Sequence, residues 1–172
     1  MDNSILKKIL FYVVDTLEEN QILYWLDYGS LLGAYRDGAV LEWDNDIDLG
    51  VLKESTEQIM SFKGKMNEDG YSLTVHCDGN RIKIMDKTND ECHLDIFIWE
   101  RNSADTVMPL YSYLREDSTR WKNRSCFKYR HIENLSEIEL YGRKIKCPSD
   151  TGEYLRLRYG DDYMTPDRTK RR

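Results

Sequence analysis

The sequence predicts an α/β or α+β domain in which a mixed sheet is flanked by helices. Three observations support this fold class. An amphipathic helix opens the chain, short strands of both alternating and fully apolar character follow, and a last helix comes near the end. The chain has 172 residues, of which 40% are hydrophobic. This length is enough for one core and short for two, so we expect a single domain.

The first half of the chain alternates helices and strands. Residues 4–19 place apolar side chains at helical spacing, with Ser4 as a candidate N-cap. Residues 22–26 indicate a short buried strand. Gly29–Ser30 interrupts the pattern, and a short helix is expected to start just after the serine, over 31–35.

Acidic and apolar residues alternate over 46–52, as in a strand with one functional face. A helix is then expected over 55–67, with Ser55 as its N-cap and Gly70 near its end. Three further strands are predicted at 71–76, 81–86 and 92–99.

The last third of the chain is more varied. Residues 101–135 are polar, basic and aromatic, and predict a mixture of short elements. A hairpin is expected over 137–146, and the final helix should follow Asp150 and end before Gly160. No repeat or internal boundary is visible. We therefore predict one catalytic domain over 1–166 and a basic tail over 167–172.

Charge is distributed unevenly. Residues 1–50 carry 3 basic and 10 acidic residues, whereas residues 101–172 carry 16 and 11, and the chain has a net charge of −6. This division suits a site where cations and phosphates meet, although ordinary surface variation would also explain it. The acidic total argues against a protein that coats nucleic acid.

Nothing in the sequence predicts a membrane span or export. No window approaches the roughly 18 consecutive apolar residues that a spanning helix needs. Asp2 and Asn3 stand where a signal peptide would carry positive charge. The four cysteines form no C-x-x-C pair and are expected to be reduced thiols. We therefore predict a cytoplasmic protein, with peripheral contact to the inner face of the membrane compatible with the sequence.

The acidic strand is the first candidate site. Asp46 and Asp48 are two residues apart on a predicted strand, so both carboxylates project from one face, which Asp44 would share if the strand began early enough. A divalent cation would relieve their repulsion, and oxygen ligands suit Mg²⁺ or Mn²⁺. The alternative is a solvated acidic turn.

Phosphate-binding features lie close to these acids in the sequence. Gly29 allows the backbone to approach a ligand, Ser30 adds a hydroxyl at a predicted helix start, and Arg36 could reach the same anion. A simple turn with an N-cap would explain the Gly–Ser pair equally well. Arg81 and Lys83 alternate on a later predicted strand and could also face phosphate.

A third acid stands on a separate strand. Asp95 interrupts an otherwise apolar segment, where an unpartnered buried carboxylate would be costly. It would complete a metal site formed by three carboxylates if its strand lies beside the strand of Asp46 and Asp48. A solvent-facing or hydrogen-bonded aspartate is the alternative.

Together these segments resemble the nucleotidyltransferase-fold superfamily, and within it the LicD / fukutin-related family of phosphotransferases. The resemblance runs through YWLDYGSLLGAYRDGAVLEWDNDIDLGV at residues 24–51 and HLDIF at 93–97. It continues in a late signature that contains Tyr154–Leu155, Tyr159 to Met164, and Pro166. It therefore covers about residues 5–166.

The resemblance implies a metal-dependent transfer of a substituted phosphate, such as phosphocholine or a polyol phosphate. The donor would be CDP-linked and CMP would leave. The acceptor would be a hydroxyl on a sugar or polyol of a surface glycan, a class that includes lipid-linked glycans. By resemblance, Asp46, Asp48 and Asp95 would hold the metal. Asp44 would be a further ligand or the proton acceptor. The diphosphate would be bound by Gly29, Ser30 and Arg36.

Other functions remain open at this point. The same metal site could move a nucleotide from a nucleoside triphosphate to a small hydroxyl substrate and release pyrophosphate. A degenerate nucleotide-binding module is a third possibility, although all four acids are present. The basic segments at 120–124 and 128–130 could bind nucleotide phosphate or an anionic acceptor, or could be a solvated loop.

Overall fold

The structure, a computed structural model, describes residues 3–102, 105–110 and 127–166. Its helices are α1 (Asn3–Glu19), α2 (Tyr28–Asp37), α3 (Thr56–Ser61), α4 (Lys63–Glu68), α5 (Arg130–Glu133) and α6 (Thr151–Tyr159). Its strands are β1 (Tyr24–Leu26), β2 (Asp46–Leu52), β3 (Tyr71–His76), β4 (Arg81–Asp86), β5 (His93–Arg101), β6 (Thr106–Pro109), β7 (Phe127–Lys128), β8 (Ser136–Leu140) and β9 (Arg143–Cys147). The predicted tail at 167–172 and the basic segment at 120–124 lie outside these ranges.

The strands build one large mixed sheet and one hairpin. The large sheet has the order β1-β2-β5-β4-β3, and β6 continues from β5 to β7. Strands β2 and β5 are parallel, whereas the other pairs are antiparallel. Strands β8 and β9 form a separate antiparallel hairpin. The predicted fold class, a mixed sheet flanked by helices, is confirmed.

The two faces of the sheet differ in chemistry. On one face, Ile47 and Leu49 of β2 and Leu94 and Ile96 of β5 are fully buried, and helix α1 packs over them. Because side chains alternate along a strand, the intervening residues project from the opposite face. That second face, called the front face below, carries the predicted acids.

Most predicted elements have the expected positions. The structure confirms the first helix, the strand over 46–52, the strands at 71–76 and 81–86, and a last helix that ends before Gly160. Strand β5 is longer than predicted, and the predicted hairpin is present with its turn at Tyr141 and Gly142. Within the described part of 101–135, short elements are present, as expected.

Helix α2 begins earlier than the sequence predicted. Its N-cap is Asp27, whose side chain accepts a hydrogen bond from the backbone N–H of Tyr28. Gly29 and Ser30 therefore belong to the first turn of the helix. The prediction that the helix starts after Ser30 was wrong, because an aspartate supplies the cap three residues earlier.

The helix predicted over 55–67 is also interrupted. A 3₁₀ turn at Lys53–Ser55 precedes α3, and Ser55 makes no side-chain capping bond. The backbone N–H of Phe62 bonds to the carbonyl of Ile59, a tighter turn that separates α3 from α4. None of the helices in the described ranges combines the length and apolar character that crossing a bilayer requires.

Candidate active site

The structure brings Asp46, Asp48 and Asp95 to the front face. The parallel pairing of β2 and β5 makes Asp48 the register partner of Asp95, and Asp46 the partner of His93. Residues in register on adjacent strands project from the same face. Carboxylates that are 47 residues apart in the chain are thus neighbours in space. Asp48 and Asp95 are buried, and Asp46 is partly exposed.

His93 joins these acids, although sequence reasoning did not include it among the site residues. Its Nε2 lies 3.7 Å from Oδ2 of Asp46 and 3.8 Å from Oδ2 of Asp95. One ligand atom from each of these three residues lies within 4.8 Å of the other two. The available signal was spacing: His93 and Asp95 are two residues apart, like Asp46 and Asp48.

The acid cluster is electrostatically strained. Burial raises the pKa of Asp48 well above its usual range, and the negative charges of Asp46 and Asp95 raise it further. Burial also raises the pKa of Asp95, and nearby Arg81 partly offsets that effect. Burial lowers the pKa of His93, against the influence of Asp95. Ionised carboxylates at this site therefore need a compensating cation.

Two basic residues of β4 face the same cluster. Arg81 Nη1 donates to Oδ2 of Asp95 at 3.0 Å, and Lys83 is the register partner of Asp95. The other carboxylate oxygen of Asp95, Oδ1, is buried and has no hydrogen-bond partner in the part of the chain described here. Arg81 and Lys83, predicted from sequence to face phosphate, thus lie on the same face as the acids.

Gly29 lies against the carboxylate of Asp44. A Cβ atom on Gly29 would lie 2.7 Å from Oδ2 of Asp44 and 3.8 Å from Oδ2 of Asp48. Asp44 belongs to the turn before β2 rather than to the strand, but its side chain still reaches the cluster. Because Gly29 has no side chain, the carboxylate of Asp44 can approach the first turn of α2. The positive end of the helix dipole favours negative charge there.

Ser30 and Arg36 have different surroundings. The hydroxyl of Ser30 is buried and accepts a hydrogen bond from the backbone N–H of Asp48 at 2.8 Å. Arg36 lies in the last turn of α2, where its Nη2 is 2.7 Å from Oδ2 of Asp37. Seven residues of helix separate it from Gly29, which is about 10 Å along the axis. The structure thus connects Ser30 to the acids and places Arg36 at the other end of the helix.

A buried charge pair next to the site was not predicted. Asp27 and Arg158 are both buried, and Oδ1 of Asp27 lies 3.3 Å from Nη2 of Arg158. Tyr154, one helical turn before Arg158, donates its hydroxyl to the same oxygen at 2.9 Å. The signal in the sequence was the i, i+4 spacing of Tyr154 and Arg158, but their partner Asp27 is 127 residues away from Tyr154.

The front-face cluster has the chemistry of a magnesium or manganese site. The carboxylates of Asp46 and Asp95 and the imidazole of His93 have ligand atoms within 4.8 Å of one another, and Asp48 lies beside them as the register partner of Asp95. One buried carboxylate oxygen has no partner among the described residues, and the pKa values of Asp48 and Asp95 are raised. A second group, formed by His131, Asp150 and Glu153, is also close enough to share an ion. Glu153 of this second group pairs with Arg130 at 2.6 Å.

A sheet whose central parallel strands carry acids beside the first turn of a helix defines the class: a nucleotidyltransferase fold. The family model described as "LicD/FKTN/FKRP, nucleotidyltransferase domain" matches residues 21–150. The chain therefore belongs to the LicD/FKTN/FKRP family, which confirms the resemblance seen in the sequence.

Named relatives include transferases of a phosphate-linked group. The mouse (Mus musculus) ribitol 5-phosphate transferase FKRP is 27% identical over 162 residues, which are 90% of this chain and 31% of the relative. The ribitol-5-phosphate transferase FKTN of Macaca fascicularis is 25% identical over 169 residues, which are 95% of this chain and 34% of the relative. The chain thus spans about a third of the length of these relatives. The predicted enzyme class, a phosphotransferase, is the class that their names give.

Two further comparisons concern antibiotic resistance. A lincosamide resistance protein of Staphylococcus haemolyticus is 28% identical over 140 residues, covering 79% of this chain and 82% of the relative. The crystal structure of the lincosamide antibiotic adenylyltransferase LnuA with lincomycin bound superimposes with a TM-score of 0.54. That match is 23% identical and covers 88% of this chain and 85% of the other, and it establishes the shared fold.

Proposed function

We propose that this protein transfers a substituted phosphate, such as a polyol phosphate or phosphocholine, from a CDP-linked donor to a hydroxyl of a glycan acceptor. CMP is the leaving group. The observation that carries the proposal is the convergence of Asp46, Asp48 and Asp95 on one face of the sheet beside the first turn of α2. Membership of the LicD/FKTN/FKRP family supports the same reaction class.

Asp46, Asp48 and Asp95 would hold a magnesium or manganese ion, and His93 lies near enough to contribute a nitrogen ligand. When bound, a divalent cation neutralises the diphosphate and lowers the pKa of a hydroxyl that coordinates it. Two observations support this assignment: Oδ1 of Asp95 has no hydrogen-bond partner among the described residues, and the pKa of Asp48 is raised. Both indicate carboxylates that would gain from added positive charge.

The remaining residues would bind the donor and accept the proton. The first backbone N–H groups of α2 have no partner within the helix, so this turn suits the diphosphate. Arg81 and Lys83 add positive charge on the same face. Asp44, at the edge of the cluster, is our candidate to accept the proton of the acceptor hydroxyl. Phosphoryl transfer mainly needs such positioning and charge neutralisation.

The test is product analysis with purified protein. The protein is incubated with CDP-ribitol or CDP-choline, Mg²⁺ and a panel of polyol and sugar acceptors, and CMP release is measured. We expect release that depends on Mg²⁺ and is abolished in Asp46→Asn and Asp48→Asn. Asp86→Asn is the matched control, because Asp86 is a buried acid on the opposite face of the same sheet. Unchanged CMP release in either site variant would refute the proposed site.

A second candidate is nucleotidyl transfer from a nucleoside triphosphate to a small hydroxyl substrate. The observation that favours it is the 28% identity of this chain to the lincosamide resistance protein over 140 residues. The same assay with ATP or CTP and lincomycin separates the two reactions. Pyrophosphate release without CMP release from CDP donors would support this second candidate and rule out the first.

The acceptor and the cellular location stay predictions. A surface glycan acceptor agrees with the family, and the described part of the basic segment, residues 128–130, carries positive charge that an anionic acceptor could use. Arg130 of this segment already pairs with Glu153. The cytoplasmic location predicted from the sequence is not tested by the structure.

A further inference from the structure

We propose that Arg158 is a positioning residue, which acts through Asp27 to fix Asp48 and the first turn of α2 in the geometry that transfer requires. The inference rests on the proposed function and deepens it, because it assigns a role to a residue outside the acid cluster. Arg158 lies on α6, and its buried guanidinium packs 5.5 Å from the centre of the ring of Trp99, a β5 residue that projects from the front face like Asp95.

The turn formed by Asp27–Ser30 contacts the backbone of Asp48. The backbone N–H of Asp27 donates to the carbonyl of Asp48 at 2.9 Å. The backbone N–H of Asp48 donates to the hydroxyl of Ser30 at 2.8 Å. Both peptide groups of Asp48 are therefore held by one four-residue turn. A shift of this turn moves Asp48 directly, and with it one carboxylate of the acid cluster.

The carboxylate of Asp27 has no solvent exposure and is held from two parts of the chain, by α2 and by α6. Its Oδ1 accepts hydrogen bonds from the backbone N–H of Tyr28 at 2.8 Å and from the Tyr154 hydroxyl at 2.9 Å. Nη2 of Arg158 lies 3.3 Å from the same oxygen and also donates to the Tyr154 hydroxyl at 3.2 Å. The oxygen that caps α2 is thus held in place by α6.

Tyr28 has a strained backbone. Its φ is 43°, in the left-handed region that non-glycine residues rarely adopt. The guanidinium of Arg158 lies 3.9 Å from the centre of the Tyr28 ring, and the Phe97 ring lies 4.4 Å from it. Packing against these two residues holds the Tyr28 ring, and so supports the unusual conformation immediately before Gly29. Arg158 therefore contacts Asp27 and Tyr28, the two residues that determine where α2 begins.

A matched contact elsewhere in the fold separates a positioning role from a purely structural one. Tyr24 is also fully buried, and its hydroxyl donates to a carboxylate oxygen of Glu18 at 2.7 Å. This pair links β1 to α1 on the face of the sheet opposite the acid cluster, since Tyr24 is the register partner of Val51. Tyr154→Phe and Tyr24→Phe each remove one hydroxyl and leave the ring. We expect both to lower the urea midpoint of unfolding by similar amounts.

The experiment measures kcat and KM for CDP-donor turnover in both variants, together with the affinity for Mn²⁺ alone by electron paramagnetic resonance. We expect Tyr154→Phe to lower kcat about 3- to 10-fold with KM changed less than about 2-fold, because transition-state geometry is affected more than donor binding. Mn²⁺ should bind several-fold more weakly. Tyr24→Phe should change neither kcat nor Mn²⁺ affinity.

Arg158→Lys and Arg158→Met extend the series. Lysine keeps the charge near Asp27 but loses the planar group that stacks on Tyr28, so we expect kcat to fall in the order wild type, lysine, methionine. Wild-type kcat and Mn²⁺ affinity in both Tyr154→Phe and Arg158→Lys would overturn the inference. So would an equal loss in Tyr24→Phe.

The two proposals fail in different ways. A wild-type protein that releases no CMP from any CDP donor contradicts the proposed function, and the Mn²⁺ measurement then decides the present inference. Weaker Mn²⁺ binding in Tyr154→Phe would still support the positioning of Asp48. Unchanged binding would overturn it.

Discussion

Gly29 and Asp44 approach so closely that a Cβ atom on the glycine would lie 2.7 Å from Oδ2 of the aspartate. The same atom would lie 3.8 Å from Oδ2 of Asp48. Gly29 is therefore a point where the first turn of α2 lies close to the acid cluster. Its φ is not among the positive values of the chain, so space rather than backbone conformation requires glycine here.

Gly29→Ala is expected to lower the transfer rate by about 10- to 100-fold, because a methyl group would displace Asp44 or the helix turn by a fraction of an ångström to one ångström. The free energy of unfolding should change by less than about 1 kcal/mol, since the displaced carboxylate can move toward solvent. The measurements are steady-state CMP release and urea unfolding.

The control for this substitution is Gly64→Ala. A Cβ atom on Gly64, inside α4, meets nothing within 4 Å. Alanine should stabilise that helix by about 0.5–1 kcal/mol and leave the rate unchanged. Wild-type activity in Gly29→Ala would show that the contact with Asp44 does not matter for transfer.

Asp48→Asn should abolish transfer but stabilise the metal-free protein. The raised pKa of Asp48 means that the folded state disfavours its ionised form, so the penalty is present at pH 7 and disappears as the pH falls through the raised pKa. We expect the unfolding free energy in EDTA to increase by roughly 1–3 kcal/mol at pH 7.

The metal dependence of stability provides the second part of this test. Mg²⁺ should raise the thermal midpoint of the wild type by mass action, and should raise that of Asp48→Asn much less. Thermal unfolding with and without Mg²⁺ measures both effects. A variant that is less stable than the wild type in EDTA would contradict the electrostatic strain inferred for the cluster.

Ionised Asp86 should stabilise the fold, whereas ionised Asp48 destabilises it. The ammonium of Lys8 and the hydroxyl of Thr88 hydrogen-bond to the Asp86 carboxylate and lower its pKa to about 2. The unfolded value is about 3.9, so this stabilisation is present above pH 4 and is lost as the pH falls toward 2.

Asp86→Asn should therefore be less stable than the wild type by about 1 kcal/mol at pH 7, a figure reduced because the Lys8 ammonium is largely exposed to solvent. The difference should vanish near pH 2. Urea unfolding between pH 2 and pH 7 measures it, and Lys8→Met should show the same pH dependence. A difference that persists at pH 2 would indicate a cause other than this ion pair.

Gly50→Ala should destabilise the fold. A Cβ atom on Gly50 would lie 2.3–2.6 Å from three atoms of the Trp25 indole, which is fully buried and packs edge-on against Trp99. The ring has no free space to move into, so we expect a loss of about 1–3 kcal/mol or more in urea unfolding. A second substitution, Trp25→Phe, should recover part of the loss, because a smaller ring leaves room for the methyl group.

The sequence alone determined the local features of this protein. Alternating acidic and apolar residues predicted β2 and the shared face of Asp46 and Asp48, because strand periodicity is a local property. Apolar residues at helical spacing predicted α1. The helix start at Asp27 was missed, since Gly–Ser and Asp are all acceptable near a helix N-terminus and only the backbone decides which residue caps it.

Tertiary structure alone decided which distant residues meet. The parallel register of β2 and β5 places Asp48 beside Asp95 and brings His93 to Asp46, and no periodicity within either strand specifies that register. The burial of Asp27 against Arg158 likewise depends on where the fold places α6, whose Tyr154 is 127 residues away from Asp27 in the chain. Pairing and packing depend on the whole chain, so the acids could be proposed from sequence, whereas their neighbours became known only from the fold.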